Sequence, residues 1–183
     1  MKCVALTYGA DSQSRPIEMA PDSAVVYRGN PWFVPDTDRR WQASFWLAAV
    51  IDRLGKNISA RFARRYYNNV CLAAHPASDA DAEQWLRDGA VVKGPDIALA
   101  SLPAEFSARL ERAGAEPEVF GPFDTADLLA RLDDAVVTAS ALATVKTGDL
   151  LLIPFPIPDV PLCERTDFQV YISQTQALKF KTR

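Results

Sequence analysis

The sequence predicts one α+β domain, residues 1–183, in which strands dominate. Three observations predict it. Short apolar or alternating runs recur along the chain, each closed by Gly, Pro, Asn or Asp. A single long segment, Thr125 to about Val145, carries a helical apolar stripe of Leu128, Leu129, Leu132 and Val136. The 183 residues hold 13 prolines, the mark of many fixed turns, but no internal repeat and no linker rich enough to separate domains.

Taken in order, Val4-Ala5-Leu6 opens a short strand that ends at Tyr8-Gly9, and Asp11 to Arg15 is a polar loop closed by Pro16. Ser23 to Tyr27 is a second strand turned by Arg28-Gly29-Asn30-Pro31, and Trp32-Phe33-Val34 a third, stopped by Pro35-Asp36. Trp41 to Ile51 is almost wholly apolar and suits a buried strand or a buried helix; periodicity does not decide between them. Leu54 to Asn57 is a turn leading to a short helix with Ser59 as N-cap and Phe62 and Tyr66 on one face. Val70 to Ala74 reads as a strand ending before Pro76, and Asp79 to Arg87 as a surface helix stopped at Gly89. Two strands, 90–92 and 97–99, flank the turn Lys93-Gly94-Pro95-Asp96. Phe106, Ala108 and Leu110 alternate with polar residues, a strand signature, although the composition also favours helix. Asp124 or Thr125 caps the long helix, and Asp127 suits its positive end. Gly148-Asp149 turns into the buried strand Leu150–Ile153, a proline-punctuated stretch follows, and Phe168–Ile172 and Ala177–Phe180 are the last two strands.

Composition limits the function. Lys and Arg number 20 against 23 Asp and Glu, a net charge of −3, with 49% apolar and 23% charged residues. No Lys/Arg block provides the positive field a nucleic-acid surface needs. No apolar run approaches the ~20 residues of a membrane helix. The first residues lack the pattern of a secretory signal, and three distant cysteines, Cys3, Cys71 and Cys163, suit free thiols in a reducing cytoplasm. With one histidine, His75, a multi-histidine metal site is excluded. There is no CxxC pair, no HExxH and no phosphate-binding GxxxxGK[ST].

Four segments, in order, resemble the fumarylacetoacetate hydrolase family in its compact single-domain form. They are Pro21-Asp22-Ser23-Ala24 with Pro31 to Asp36; Asp52 to Ile58 with the helix to Tyr67; Lys93-Gly94-Pro95-Asp96; and the helix from Thr125 through Thr147-Gly148-Asp149 to Leu152. The resemblance implies a rolled, mixed and mostly antiparallel sheet or barrel with a few short helices, a homodimer, and a small carboxylate ligand. Members of the family hydrolyse or decarboxylate short 2-oxo acids with one Mg²⁺ or Mn²⁺. The ion is held by a Glu-x-Glu pair and an aspartate, a His–Glu pair activates water, and a lysine meets the substrate.

Carried over residue by residue, the Glu-x-Glu pair falls on Ser44 and Trp46, or on Gln42 and Ser44 if the register slips by two. The metal aspartate falls on His75 and the His–Glu pair on Asp11 and Ser14. The substrate-cradling Gly-Thr-Pro turn reads Pro154-Phe155-Pro156; only Lys93 and Asp96 still match. A hard divalent cation wants about six oxygen ligands, with carboxylate charge to offset its dehydration. An indole only donates, and an imidazole prefers Zn, Cu or Ni. The expectation is therefore no metal cofactor.

Each candidate has a plainer alternative. His75 and Cys71 share a strand face as a Zn pair would, but a buried, hydrogen-bonded histidine is the default. Lys93 is either a surviving catalytic or anion-binding lysine or a turn lysine paired with Asp96. Asp79, Asp81 and Glu83 suit a solvated face, Trp41, Phe45 and Trp46 suit core, and Cys71 and Cys163 suit structural thiols. The leading expectation is a catalytically degraded family member acting through binding or assembly. The alternatives are a metal-dependent hydrolase or decarboxylase of acylpyruvate-like 2-oxo acids, and a non-catalytic subunit that pairs with an active relative.

Overall fold

The structure is a computed structural model describing residues 1–7, 17–27, 30–35, 39–78 and 84–183. Its strands are β1 (Lys2–Leu6), β2 (Ile17–Pro21), β3 (Val25–Val26), β4 (Trp41–Ile51), β5 (Tyr67–Ser78), β6 (Val91–Lys93) and β7 (Ile97–Ala98). After these come β8 (Glu105–Arg112), β9 (Glu118–Asp124), the helix α1 (Thr125–Leu142), β10 (Leu150–Pro154), β11 (Val160–Leu162), β12 (Asp167–Ile172) and β13 (Thr175–Lys181). The larger sheet runs β2-β1-β10-β4-β5-β6-β3, with β11 also on β4 and β7 also on β5; the smaller runs β13-β12-β8-β9. Pairing is antiparallel except at β1–β10 and β3–β6. The architecture is the predicted α+β type: a mixed, mostly antiparallel, barrel-like sheet with few helices.

The undecided segment 41–51 is strand β4, hydrogen-bonded along its length to β5. Its odd-numbered side chains, among them Phe45 and Leu47, enter the main core with Leu72 of β5, Leu132 of α1 and Phe180 of β13. Phe168 stacks on Phe180 at 4.7 Å and meets Phe45 edge-on at 5.6 Å, joining the two sheets. The alternation at 105–112 resolves as strand β8. Helix α1 is capped as expected, the Asp124 carboxylate accepting from the Ala126 N–H at 2.7 Å and the Asp127 N–H at 3.4 Å. It ends at Leu142, short of Val145, which bridges Gly55 instead.

Other expectations are corrected. Of the second strand only Val25–Val26 pairs, Asp22–Ala24 being a 3₁₀ turn. Of the third, only Trp32 makes a bridge, to Thr182. Ser59 precedes a 3₁₀ helix, Ala60–Tyr66, but its side chain caps nothing; its carbonyl takes the Phe62 N–H at 2.9 Å. Strand β5 does not stop at Ala74 but runs through Pro76. In a strand the N and C=O of one residue point the same way, and the Pro76 carbonyl accepts from Arg87 rather than from β4. The missing N–H therefore removes no ladder bond to β4. Residues 84–89 form turns, not helix, and 79–83 lie outside the described residues, as do 8–16. Strands β2, β9 and β11 were not expected. Among the described residues no helix is long and apolar enough to cross a membrane.

Candidate functional site

Register gathers the predicted positions. Ser44 of β4 lies opposite His75 of β5, and Trp46 opposite Ala73, which in turn faces Lys93 of β6. Directly opposed residues share a face. Ser44, Trp46, His75 and Lys93 therefore project together from the side of the sheet away from Phe45 and Leu47. Trp41 and Phe45 point the other way, into the main core, so the three aromatics of 41–46 do not line one pocket. Asp11 and Ser14 lie outside the described residues, as do Asp79, Asp81 and Glu83.

The face is filled by aromatic rings. Trp46, 6% exposed, donates its indole N–H to Ser44 Oγ at 2.9 Å, and Ser44 Oγ donates to the His75 carbonyl at 3.4 Å. Trp85 lies flat on His75, centroids 3.8 Å apart and planes 6° from parallel, and meets Trp46 edge-on at 5.0 Å. The segment carrying Trp85 is fastened at both ends to the end of β5. Gln84 donates to the Ser78 carbonyl at 2.6 Å and Arg87 to that of Pro76. His75 Nδ1–H donates to the Ala90 carbonyl at 2.7 Å; a carbonyl only accepts, which fixes the tautomer.

Burial pushes the His75 imidazolium down to about 4, the Arg87 charge acting in the same direction against the Ala90 and Gln84 hydrogen bonds. The ordinary value is 6.5, so between the two pH values the unfolded chain binds more protons. The contribution of this histidine to stability is complete above about pH 6.5, is lost as the pH drops towards 4 and changes no further below. We expect a loss of about 2–3 kcal/mol across that window, absent from His75→Phe protein, read from urea unfolding at pH 7, 5.5 and 4.

Lys93 ion-pairs with the half-exposed Asp96 and donates to the Gly94 carbonyl at 3.3 Å. The turn itself is pinned: a Cβ on Gly94 would lie 2.0 Å from the Ala177 carbonyl oxygen and 2.8 Å from that of Leu72. That close approach of backbones explains the glycine. Cys71 lies one side chain beyond Ala73 on the same face, and burial drives its thiol up to about 12, against the pull of Lys93. It is a protonated packing residue. A Cys71–His75 zinc pair has a protonated thiol and an imidazole committed to Ala90. No group of three His, Cys, Asp or Glu is placed to hold a metal among the described residues.

The donor set at 44, 46 and 75 does not fit a hard divalent cation. It comprises one engaged hydroxyl, one indole that donates only, and one imidazole covered by Trp85. What the arrangement offers is a rigid aromatic stack beside a lysine–aspartate pair. Trp85 is the site residue that sequence reasoning missed. Its only signal was a lone tryptophan in an Ala/Asp/Glu-rich stretch.

No protein-family sequence profile matches the chain, and no curated protein sequence matches it. Solved structures do. A maleylpyruvate hydrolase from Sphingobium sp. SYK-6, in complex with manganese(II) and pyruvate, superposes with TM-score 0.77 at 18% identity over 99% of this chain and 69% of that one. A 2-hydroxyhepta-2,4-diene-1,7-dioate isomerase from Mycobacterium marinum gives 0.78 at 21% identity, over 99% and 73%. A protein from Yersinia pestis described as of the fumarylacetoacetate hydrolase family gives 0.79 at 15% identity, over 100% and 93%. At these identities the likeness is one of fold.

Proposed function

We propose that this chain is a divergent member of the fumarylacetoacetate hydrolase family that has given up metal-dependent chemistry and works through binding or assembly. One observation supports the reading: the positions that the resemblance aligns with the family's metal ligands hold Ser44, Trp46 and His75, which are linked by hydrogen bonds and whose two rings both rest against Trp85. A magnesium-like ion there would lack the carboxylates that offset its dehydration, and an enolate or oxyanion would lose its main stabiliser. By the same resemblance the chain forms a homodimer. Dialysis against Mn²⁺ or Mg²⁺ followed by metal analysis is expected to leave no stoichiometric ion, and acylpyruvates and oxaloacetate are expected to go unturned. A bound equivalent, or turnover above that of the buffer, overturns the proposal.

The Lys93–Asp96 ion pair favours a second reading, a working hydrolase or decarboxylase of 2-oxo acids, because these are the two positions at which the resemblance keeps the family's residues. On that reading a small carboxylate ligand sits against Lys93, and turnover disappears in Lys93→Ala protein.

A further inference from the structure

The chain carries −3 overall, yet residues 53–66 contain Arg53, Lys56, Arg61, Arg64 and Arg65 and no acid, so the rest of the sequence carries −8. Although neutral residues separate these cations in sequence, the fold draws their segments together. The Asp52 N–H donates to the Tyr66 carbonyl at 2.9 Å, and Gly55 packs so closely on the Tyr66 ring that a Cβ would reach it at 2.5 Å. The same loop is tied to the end of α1 by Asn57 N–H to the Ser140 carbonyl and by the Gly55–Val145 bridge. Two leucines, Leu54 at 70% and Leu142 at 64% exposure, stand on these joined segments.

The cations differ in how they are matched. Arg64 is neutralised by a two-point contact with Asp133, both bonds 2.9 Å, and Arg53 lies 3.5 Å from Asp52. Arg61 and Arg65 instead lie over the single half-buried ring of Phe62, at 4.4 and 4.8 Å. No carboxylate pairs with either among the described residues. Two like charges are thus held on one ring, within a Debye length of roughly 8–10 Å of each other. Stacking orients each guanidinium and leaves its fork of donors available for a carboxylate.

We propose that this ridge is a docking surface for an acidic, leucine-bearing segment of a partner protein. Oriented arginines around a phenylalanine, with exposed leucines on the adjoining segments, are the composition of a protein interface rather than of a phosphate track. The −8 carried elsewhere repels a long polyanion but not a short acidic segment that ends within the ridge. The ridge packs with α1 on the opposite side of β4 and β5 from Ser44, Trp46 and Lys93, so it stands whether or not that face turns over a substrate.

The test is fluorescence anisotropy with a labelled Asp/Glu peptide containing leucines, run against a single-stranded oligonucleotide of equal charge. The peptide is expected to bind the wild-type chain, to weaken roughly tenfold or more in R61E/R65E protein, and to weaken as salt rises. Leu54→Ala, which keeps every charge, is expected to reduce peptide binding several-fold. Circular dichroism checks that both variants fold. Equal binding by R61E/R65E, no binding by the wild type, or tighter binding of the oligonucleotide through the same two arginines overturns the proposal.

Discussion

Trp85→Ala protein is expected to unfold about 3–5 kcal/mol more easily than the wild type, the usual cost of deleting a buried indole whose space cannot collapse. Trp85 is 9% exposed and is the ring against which both His75 and Trp46 rest. Its removal also admits water to His75, whose imidazolium should then titrate closer to 6.5 than to 4. Urea unfolding and the His75 proton resonances read the two effects on one sample. Trp85→Phe keeps a stacked ring and is expected to lose less than half as much. A cost below about 1 kcal/mol for the alanine change would mean that the 84–90 segment is held by its hydrogen bonds alone.

Asp149→Ala is expected to be as damaging, again about 3–5 kcal/mol, by a different route. The Asp149 carboxylate is 1% exposed. It accepts the Lys2 N–H at 2.9 Å and the Lys146 N–H at 2.8 Å, and it ion-pairs with the Lys2 ammonium. Alanine leaves two backbone donors and a mostly buried cation unmatched, and only the Thr144 carbonyl, 2.9 Å from Lys2 Nζ, remains. Asp149→Asn keeps an acceptor and should recover some of the loss in the same unfolding assay.

How much of this was legible in the residues depends on where each contact is made. Helix α1 and the β12–β13 hairpin announce themselves because their side chains repeat with a period that burial on one face imposes, and β10, buried on both faces, because it is an unbroken apolar run. Strands β2 and β9 do not, because they are edges with half their side chains in solvent and no period to keep. Pro76 misled for a local reason: proline is barred from a strand only where its N–H would be used. Positions 44, 46, 75 and 93 are grouped in the sequence through the family resemblance alone; the register places them on one face of the sheet because directly opposed residues of β4, β5 and β6 project the same way. Trp85 could not be found, since a turn has no periodicity and its contact with His75 exists only once β5 has been laid down.

The parallel pairing of β1 with β10, Cys3 opposite Leu150 and Val4 opposite Leu151, has a consequence for synthesis. During synthesis β1 soon has β2 beside it but finds its other neighbour only when the chain about 147 residues further on has emerged. Its apolar side chains, Val4 and Leu6 among them, must wait through that interval. Contacts so distant in sequence make for slow folding and a long exposure to misassociation. The nascent chain should therefore depend on holding chaperones until Leu150–Pro154 emerges and lets β1 take its place.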